Sequence, residues 1–243
     1  MRIRMEHLVA TAISLAVAAG ILGAAFGMPR PAAVAPMHMV PAPTRATAAM
    51  ADEQARKTAS VVFAGGCFWG VQGVFQHVRG VTRAESGYAG GRDAGAANYA
   101  AVSTGRTGHA EAVRVEYDPQ QVSYAQLMQV FFSVVHDPTQ RDRQGPDHGT
   151  QYRSAVFVST PAQARATRAY LAELDRAGSF PAPIVTQVAT DVAFHPAERY
   201  HQDYLVNNPR SPYIRAWDQP KIDALKARYP TLYREQPVLI TKR

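Results

Sequence analysis

The sequence predicts an α+β fold, a mixed sheet covered by helices, on three observations. Segments of strand and helix character interleave from residue 60 onward. The connections between them are rich in Pro and Gly, with 17 of each in the chain, and carry polar and aromatic side chains of the kind that build sites. No repeat period is present, and with 47% apolar residues in 243 the chain can bury one sizeable core.

The first element is the N-terminal segment. Arg2 and Arg4 precede a nearly unbroken apolar run from Leu8 to Gly27, followed by a Pro/Ala/Met-rich stretch to about Met50. About 20 apolar residues can span a bilayer, and a positive flank keeps that end in the cytoplasm. Residues 1–50 therefore read as a signal peptide or membrane anchor plus flexible linker. Small residues at Ala24-Ala25-Phe26-Gly27 and Ala46-Thr47-Ala48-Ala49 leave the choice between cleavage and anchoring open. Either way the remainder, 51–243, is expected to be exported as the folded domain, periplasmic or anchored facing the periplasm, touching the membrane only through this segment.

Ser60 to Ala64 is a β-branched and aromatic run that ends in Gly65-Gly66, and Cys67 to His77 carries apolar residues at helical spacing. Strand, tight turn and helix follow, with Cys67 at the helix start. Ala110 to Tyr117 alternates as a strand, which puts Glu111 on the same face as Val113 and Val115. Asp118-Pro119 stops it. Ser123 to Val135 reads as a helix, Arg153 to Ser159 as a strand, and Thr160-Pro161 as the cap and first turn of a helix to about Ala177. Val185 to Val192 reads as a further strand, and the tail beyond Trp217 as a wrapping or loosely packed extension.

Charge and cysteine content exclude several classes. The formal charge is +7, but residues 1–59 hold six basic and three acidic side chains, which leaves +4 for the rest without a long Lys/Arg run. That argues against nucleic acid. One cysteine permits neither an intramolecular disulfide nor a cysteine-based zinc cage within one chain. His109, His148, His195 and His201 lack metal-ligand spacing, so no metal is assigned. No feature compels an interface, and a monomer is expected.

A lone cysteine is often a small buried hydrophobe. A helix N-terminus, however, stabilises a thiolate through unpaired N–H groups, and two preceding glycines let the chain turn sharply beside it. Phe68 and Trp69 fit the walls of a small apolar pocket next to such a nucleophile. Glu111, taken alone, is a strand-end carboxylate that could reach solvent; Asp147 follows Gly145-Pro146 as a turn residue; Tyr152 is a half-buried strand aromatic.

The blocks around these residues point further. Gly66-Cys67-Phe68-Trp69-Gly70 is similar to the GCFWG signature of the A-type methionine sulfoxide reductases. Gly87-Tyr88-Ala89-Gly90-Gly91, Thr107-Gly108-His109-Ala110-Glu111 leading to Tyr117-Asp118-Pro119, and Gly149-Thr150-Gln151-Tyr152-Arg153-Ser154 resemble that family's blocks. So does Ala193-Phe194-His195-Pro196-Ala197-Glu198 running into Tyr200-His201-Gln202-Asp203-Tyr204-Leu205. They occur in the family's order over about residues 60–215.

The resemblance implies a two-layer α/β roll with a central mixed sheet and reduction of the S epimer of methionine sulfoxide, protein-bound and free. It implies Cys67 as the nucleophile, Glu111 as the acid that protonates the sulfoxide oxygen, and Tyr99 and Tyr152 as hydrogen-bond donors to it. Phe68 and Trp69 would hold the substrate methyl group, and Asp147 would help position substrate. No bound cofactor is implied. A sulfoxide sulfur is a poor electrophile until its oxygen is protonated, which is why the chemistry needs an acid beside the thiol.

Two departures stand out. Many members carry further cysteines toward the C-terminus, whereas nothing after Cys67 can resolve a sulfenic acid here. An external thiol, either thioredoxin-like or small, must then reduce it. The segment Arg92 to Asn98 is also one residue longer than the usual spacing and lacks a proline turn, which affects the match of Tyr99. A thiol peroxidase, or a domain that binds oxidised methionine without turnover, are the competing readings.

Overall fold

A computed structural model describes residues 38–44, 53 and 55–240. The segment read as a signal or anchor lies outside the described residues, apart from His38 to Thr44. Among the described residues, no helix is long and apolar enough to cross a membrane.

Eight strands are present among the described residues. Six form the main sheet: β1 (Ala59–Gly65), β2 (Val81–Ala89), β3 (Ala110–Tyr117), β6 (Ser154–Val158), β7 (Gln187–Thr190) and β8 (Phe194–Pro196), in the order β7-β6-β1-β3-β2-β8. The pairs are antiparallel except β6 with β7, so the sheet is mixed. A small hairpin, β4 (Arg143–Gln144) with β5 (Asp147–His148), lies apart from it.

The helices are α1 (Phe68–Gln76), α2 (Tyr99–Val102), α3 (Tyr124–Val130), α4 (Pro161–Arg176), α5 (Tyr204–Asn207) and α6 (Gln219–Arg228). Wider π-type turns over 131–135 and 214–218 extend α3 and lead into α6. Helix starts follow local chemistry. The Ser123 and Thr160 hydroxyls accept from the backbone N–H groups of Gln126 and Gln163, and Pro161 occupies the first turn of α4.

One face of the sheet carries the main core. Val61 and Phe63 of β1 and Val113 and Val115 of β3 pack with Phe75 of α1, Phe131 and Phe132 beyond α3, and Tyr170 of α4. The other face buries a thin layer of small residues, including Ala64, Ala89, Ala110, Ala112 and Ala155. Helices and sheet thus form the two-layer arrangement anticipated from the resemblance.

One region differs from the sequence reading, and another settles an alternative it left open. Part of the stretch read as linker is docked: Val40 is buried in the core, its carbonyl accepts from Gln129 Nε2 at 3.1 Å, and the Pro41 carbonyl accepts from the Tyr170 hydroxyl at 2.7 Å. The packed unit therefore reaches back past residue 51. For the tail beyond Trp217, the wrapping alternative holds and the loose one does not. Ile222 and Leu225 of α6, with Tyr229 and Leu232 after it, are buried in the main core.

Candidate active site

Cys67 sits where β1 ends and α1 begins. Gly66 takes φ +92°, and a side chain there would meet Gln144, so only glycine permits this turn. Cys67 is the N-cap of α1 and is buried, its side chain makes no capping hydrogen bond, and the nearby Trp69 backbone N–H acts to lower its pKa. Helix placement was expected to favour the thiolate. Burial outweighs it: removal from water, with the charges of Glu111, Asp218 and Asp147, pushes the thiol well above its usual range. At rest Cys67 is a neutral thiol.

Glu111 lies on β3 opposite Tyr88 of β2, with its side chain buried on the apolar face as the alternation required. Its Oε2 accepts the Phe68 N–H at 3.0 Å, so the second strand-borne group of the site is bonded to the residue next to the thiol. Burial pushes the carboxyl up to about 8 against the lowering effect of that bond, with Asp147 and Asp218 raising it further. Glu111 is protonated at neutral pH and can act as an acid.

The two tyrosines lie within electrostatic reach of both groups. Tyr99 opens α2, and its N–H donates to Glu198 Oε1 at 2.9 Å. Tyr152 closes a 3-10 turn over 150–152. Burial raises both hydroxyls, followed for each by the charge of Glu111, with Cys67 and Asp147 also acting on them. They remain protonated donors. The lengthened segment before Tyr99 contains a 3-10 turn over 94–96 started by the Asp93 carboxylate, and Asn98 caps α2, so Tyr99 still reaches the site.

Phe68 is fully buried, its ring 5.0 Å from His201 and 5.8 Å from Tyr88. Trp69 is half-buried and held on three sides. It stacks on Tyr204 at 3.7 Å, meets Tyr213 edge-on at 5.8 Å, and donates from Nε1 to His201 Nδ1 at 3.1 Å. Burial pushes His201 down, so it is a neutral acceptor at Nδ1. Asp147, on β5, accepts the Tyr213 hydroxyl at 2.5 Å and is raised by burial.

The sequence reading left His201, Tyr204, Tyr213 and Glu198 without roles. Glu198 accepts from the Tyr88 hydroxyl at 2.8 Å as well as from Tyr99, and so fixes where Tyr99 begins its helix. Behind them, Gln72 and Gln76 of α1 bond Gln202 and Asp203, at 2.8 and 2.6 Å, and tie the 199–207 segment to the helix that bears the thiol. His109 braces the loop at 91–93 by accepting the Gly91 N–H and meeting the Asp93 carbonyl. Among the described residues no group of three or more His, Cys, Asp or Glu side chains is placed to hold a metal ion.

The family model for peptide methionine sulfoxide reductase matches residues 59–232. The chain belongs to the peptide methionine sulfoxide reductase family. The reductase is 54% identical over 191 residues to peptide methionine sulfoxide reductase MsrA 2 of Mesorhizobium japonicum, a match covering 79% of this chain and 97% of that one. It is 50% identical to MsrA 2 of Synechocystis, covering 72% and 81%. Among solved structures it is similar to reduced Mxr1 of Saccharomyces cerevisiae, with TM-score 0.56, 32% identity, and 64% and 88% of the chains covered. Methionine sulfoxide reductase A of Corynebacterium diphtheriae gives TM-score 0.55 and 37% identity over 64% and 78%. The anticipated roll and A-type reductase activity on methionine sulfoxide both stand, with Cys67 as the sole thiol available to a sulfenic acid mechanism.

Proposed function

We propose that this chain reduces the S epimer of methionine sulfoxide in a one-thiol cycle, with Glu111 as the acid and an external thiol as the reductant. The observation that carries this reading is the buried Glu111 carboxyl, raised to about 8 and bonded to the residue beside Cys67. An ionised carboxylate could not donate a proton to the sulfoxide oxygen, and a protonated one also removes the repulsion that opposes a thiolate at Cys67.

The substrate methyl group lies against Trp69 above buried Phe68, and the oxygen faces Glu111, Tyr99 and Tyr152. Cys67 sulfur attacks the substrate sulfur, Glu111 gives its proton to the oxygen, and the hydroxyl passes to Cys67 as methionine leaves. The Cys67 thiol gives its proton to solvent before the attack, and solvent returns one to the Glu111 carboxyl after it. With no second cysteine in the chain, the sulfenic acid waits for a thiol from outside. The Arg2 and Arg4 flank and the apolar run to Gly27 support export, with oxidised proteins of that compartment as substrates and the domain acting as a monomer.

Turnover of the separated S and R forms by the full chain with excess dithiothreitol, beside Cys67→Ser, tests this. Many turnovers on the S form alone, abolished in Cys67→Ser, are expected. Equal turnover of both forms, or a single turnover despite excess dithiothreitol, would overturn it.

A further inference from the structure

A recess opens onto Cys67 from a side that Phe68, Glu111, Tyr99 and Tyr152 do not border. Val134, Val135 and Pro146 give it apolar walls, and Trp217 and Gln144 close it to a confined interior. Asp147 and Tyr213, bonded to each other, belong to both this recess and the substrate side. Lys221 also lines it, with a side chain only 12% exposed.

Lys221 reaches this position because Gly70 leaves room. A Cβ at Gly70 would stand 2.8 Å from Lys221 Nζ and 2.1 Å from Asp218 Oδ1, so the bare backbone of α1 lets the ion pair sit against its first turn. The pair itself is 3.1 Å long and uses Asp218 Oδ1, while Oδ2 is buried with no partner among the described residues. His136, the other basic group in the wall, is pushed down to about 4 by burial and is bonded to Ser154 and the Phe131 carbonyl. Lys221, paired with Asp218, is thus the basic side chain of this wall that no neutral partner occupies.

We propose that the recess admits the thiol that reduces the Cys67 sulfenic acid, that its occupant is a small thiol, and that Lys221 holds that thiol as the thiolate. This rests on the one-thiol cycle above. The hydroxyl left on Cys67 comes from the substrate side, where Glu111 lies. Displacement at divalent sulfur runs in line with the leaving group, so the incoming sulfur must arrive away from Glu111. The recess opens onto that sulfur without Glu111 in its walls, and its confined interior suits a few-atom thiol; a cysteine on a folded protein would have to project into it.

The step balances as follows. The thiol loses its proton to solvent, its sulfur forms an S–S bond to Cys67, and the S–O bond breaks. The hydroxide takes a proton from Glu111 and leaves as water, and Glu111 regains a proton from solvent. A second equivalent of the same thiol then attacks the mixed disulfide, freeing Cys67 as a thiolate that is reprotonated from solvent and releasing a small disulfide. Across both attacks the sulfenic sulfur gains two electrons and the two thiols give one each.

The test loads the full chain with methionine sulfoxide and no reductant, counts the methionine released per enzyme, then adds 2-mercaptoethanol and follows loss of the sulfenic acid and appearance of the mixed disulfide by mass. Lys221→Met is expected to slow thiol attack about tenfold per sulfenic acid formed, about what losing one favourable charge contact at a part-buried site costs. It should also move the rate-against-pH midpoint upward, while Lys221→Arg keeps most of the rate. The groups that also titrate around Lys221 are Asp218, Asp147, Asp137 and His136 in the wall or its pair, with Glu111 beyond Cys67, so the midpoint is compared between variants under identical conditions. On the unaltered chain, 2-mercaptoethanol should outpace the same thiol displayed on a folded protein at least a hundredfold.

An unchanged pH midpoint in Lys221→Met, or equal rates for the small and protein-borne thiols, overturns the proposal. Absence of the methionine release overturns the reductase reading instead. In that case sulfenic acid made with hydrogen peroxide still reports on the recess.

Discussion

The two sides of Cys67 are built from different materials. The oxygen side is assembled from residues close to the sheet: Glu111 on β3, bonded to the first residue of α1, with Tyr99 and Tyr152 from short turns beside it. The recess side comes from the turn before Asp147 and from the stretch 213–221, which enters α6. One side offers a held proton and hydroxyl donors; the other offers apolar walls and the Lys221–Asp218 pair. In the proposed cycle the sulfur first gives electrons to a sulfoxide and then receives them from a thiol, and it meets a different environment at each step.

The largest expected effect separates the two sides. Glu111→Gln keeps the hydrogen bond from Phe68 available but holds no transferable proton, and removing a positioned acid typically costs about a hundred- to ten-thousandfold. Methionine release in a reductant-free single turnover should fall by about that much. Thiol attack on sulfenic acid generated with hydrogen peroxide should fall far less, since hydroxide can leave with a solvent proton. Equal losses in both half-reactions would erase the distinction between the faces.

The pH profile follows from the same pair of groups. The reactive form of the dyad carries one proton, with a thiolate at Cys67 and an acid at Glu111. Below about 8 both groups are protonated, because burial raises both. The first-step rate should therefore climb by up to about tenfold per pH unit toward 8, level off, and fall only when the second proton is lost at higher pH; the two midpoints belong to the pair. Glu111→Gln should lose the descending limb and rise with pH throughout. A wild-type rate that falls steadily from pH 6 would contradict this.

A smaller effect is expected at Trp69. His201→Phe removes the acceptor for the Trp69 Nε1–H and leaves the Tyr204 stack in place. Loss of one such bond is worth about 1 kcal/mol, so the sulfoxide concentration for half-maximal methionine release should rise about fivefold with little change in the limiting rate. A drop in the limiting rate without a change in half-saturation would mean that Trp69 does not position substrate.

The oxygen side was legible in the sequence to a degree that the recess was not. The alternation of Ala110 to Tyr117 put Glu111 on the buried face, and the structure agrees to the residue. β2 escaped because a central strand need not alternate: Arg83, Glu85, Ser86 and Gly87 interrupt it, and the buried Glu85 is answered by Arg83 two residues earlier as well as by Arg114 across the sheet. α6 escaped because its buried face is Ile222 and Leu225 alone, too few to show a helical stripe. His201 and Tyr204 sat within a matched block, yet their task is contact with Trp69, far away along the chain, which no local pattern announces. The thiol itself was misjudged for a related reason. A helix start is visible locally, whereas the burial that outweighs it, and the charges of Glu111, Asp218 and Asp147 that add to it, come from segments far along the chain.

The smallest effect on catalysis should come from the docked N-terminal stretch, which touches neither face. Val40 is buried against the core, the Thr44 hydroxyl and N–H both donate to Glu173 at 3.1 Å, and the Tyr170 hydroxyl fixes the Pro41 carbonyl. Val40→Ala removes two buried methyl groups and should cost about 2 kcal/mol of stability, read as a lowered Tm in thermal unfolding of the full chain. Both half-reactions at 25 °C should keep their rates. An undisturbed Tm would show that the contact contributes nothing to the folded unit. Slowed thiol attack, with methionine release intact, would instead tie this stretch to the recess, because Gln129, which bonds the Val40 carbonyl, lies on the helix whose continuation supplies Val134 and Val135.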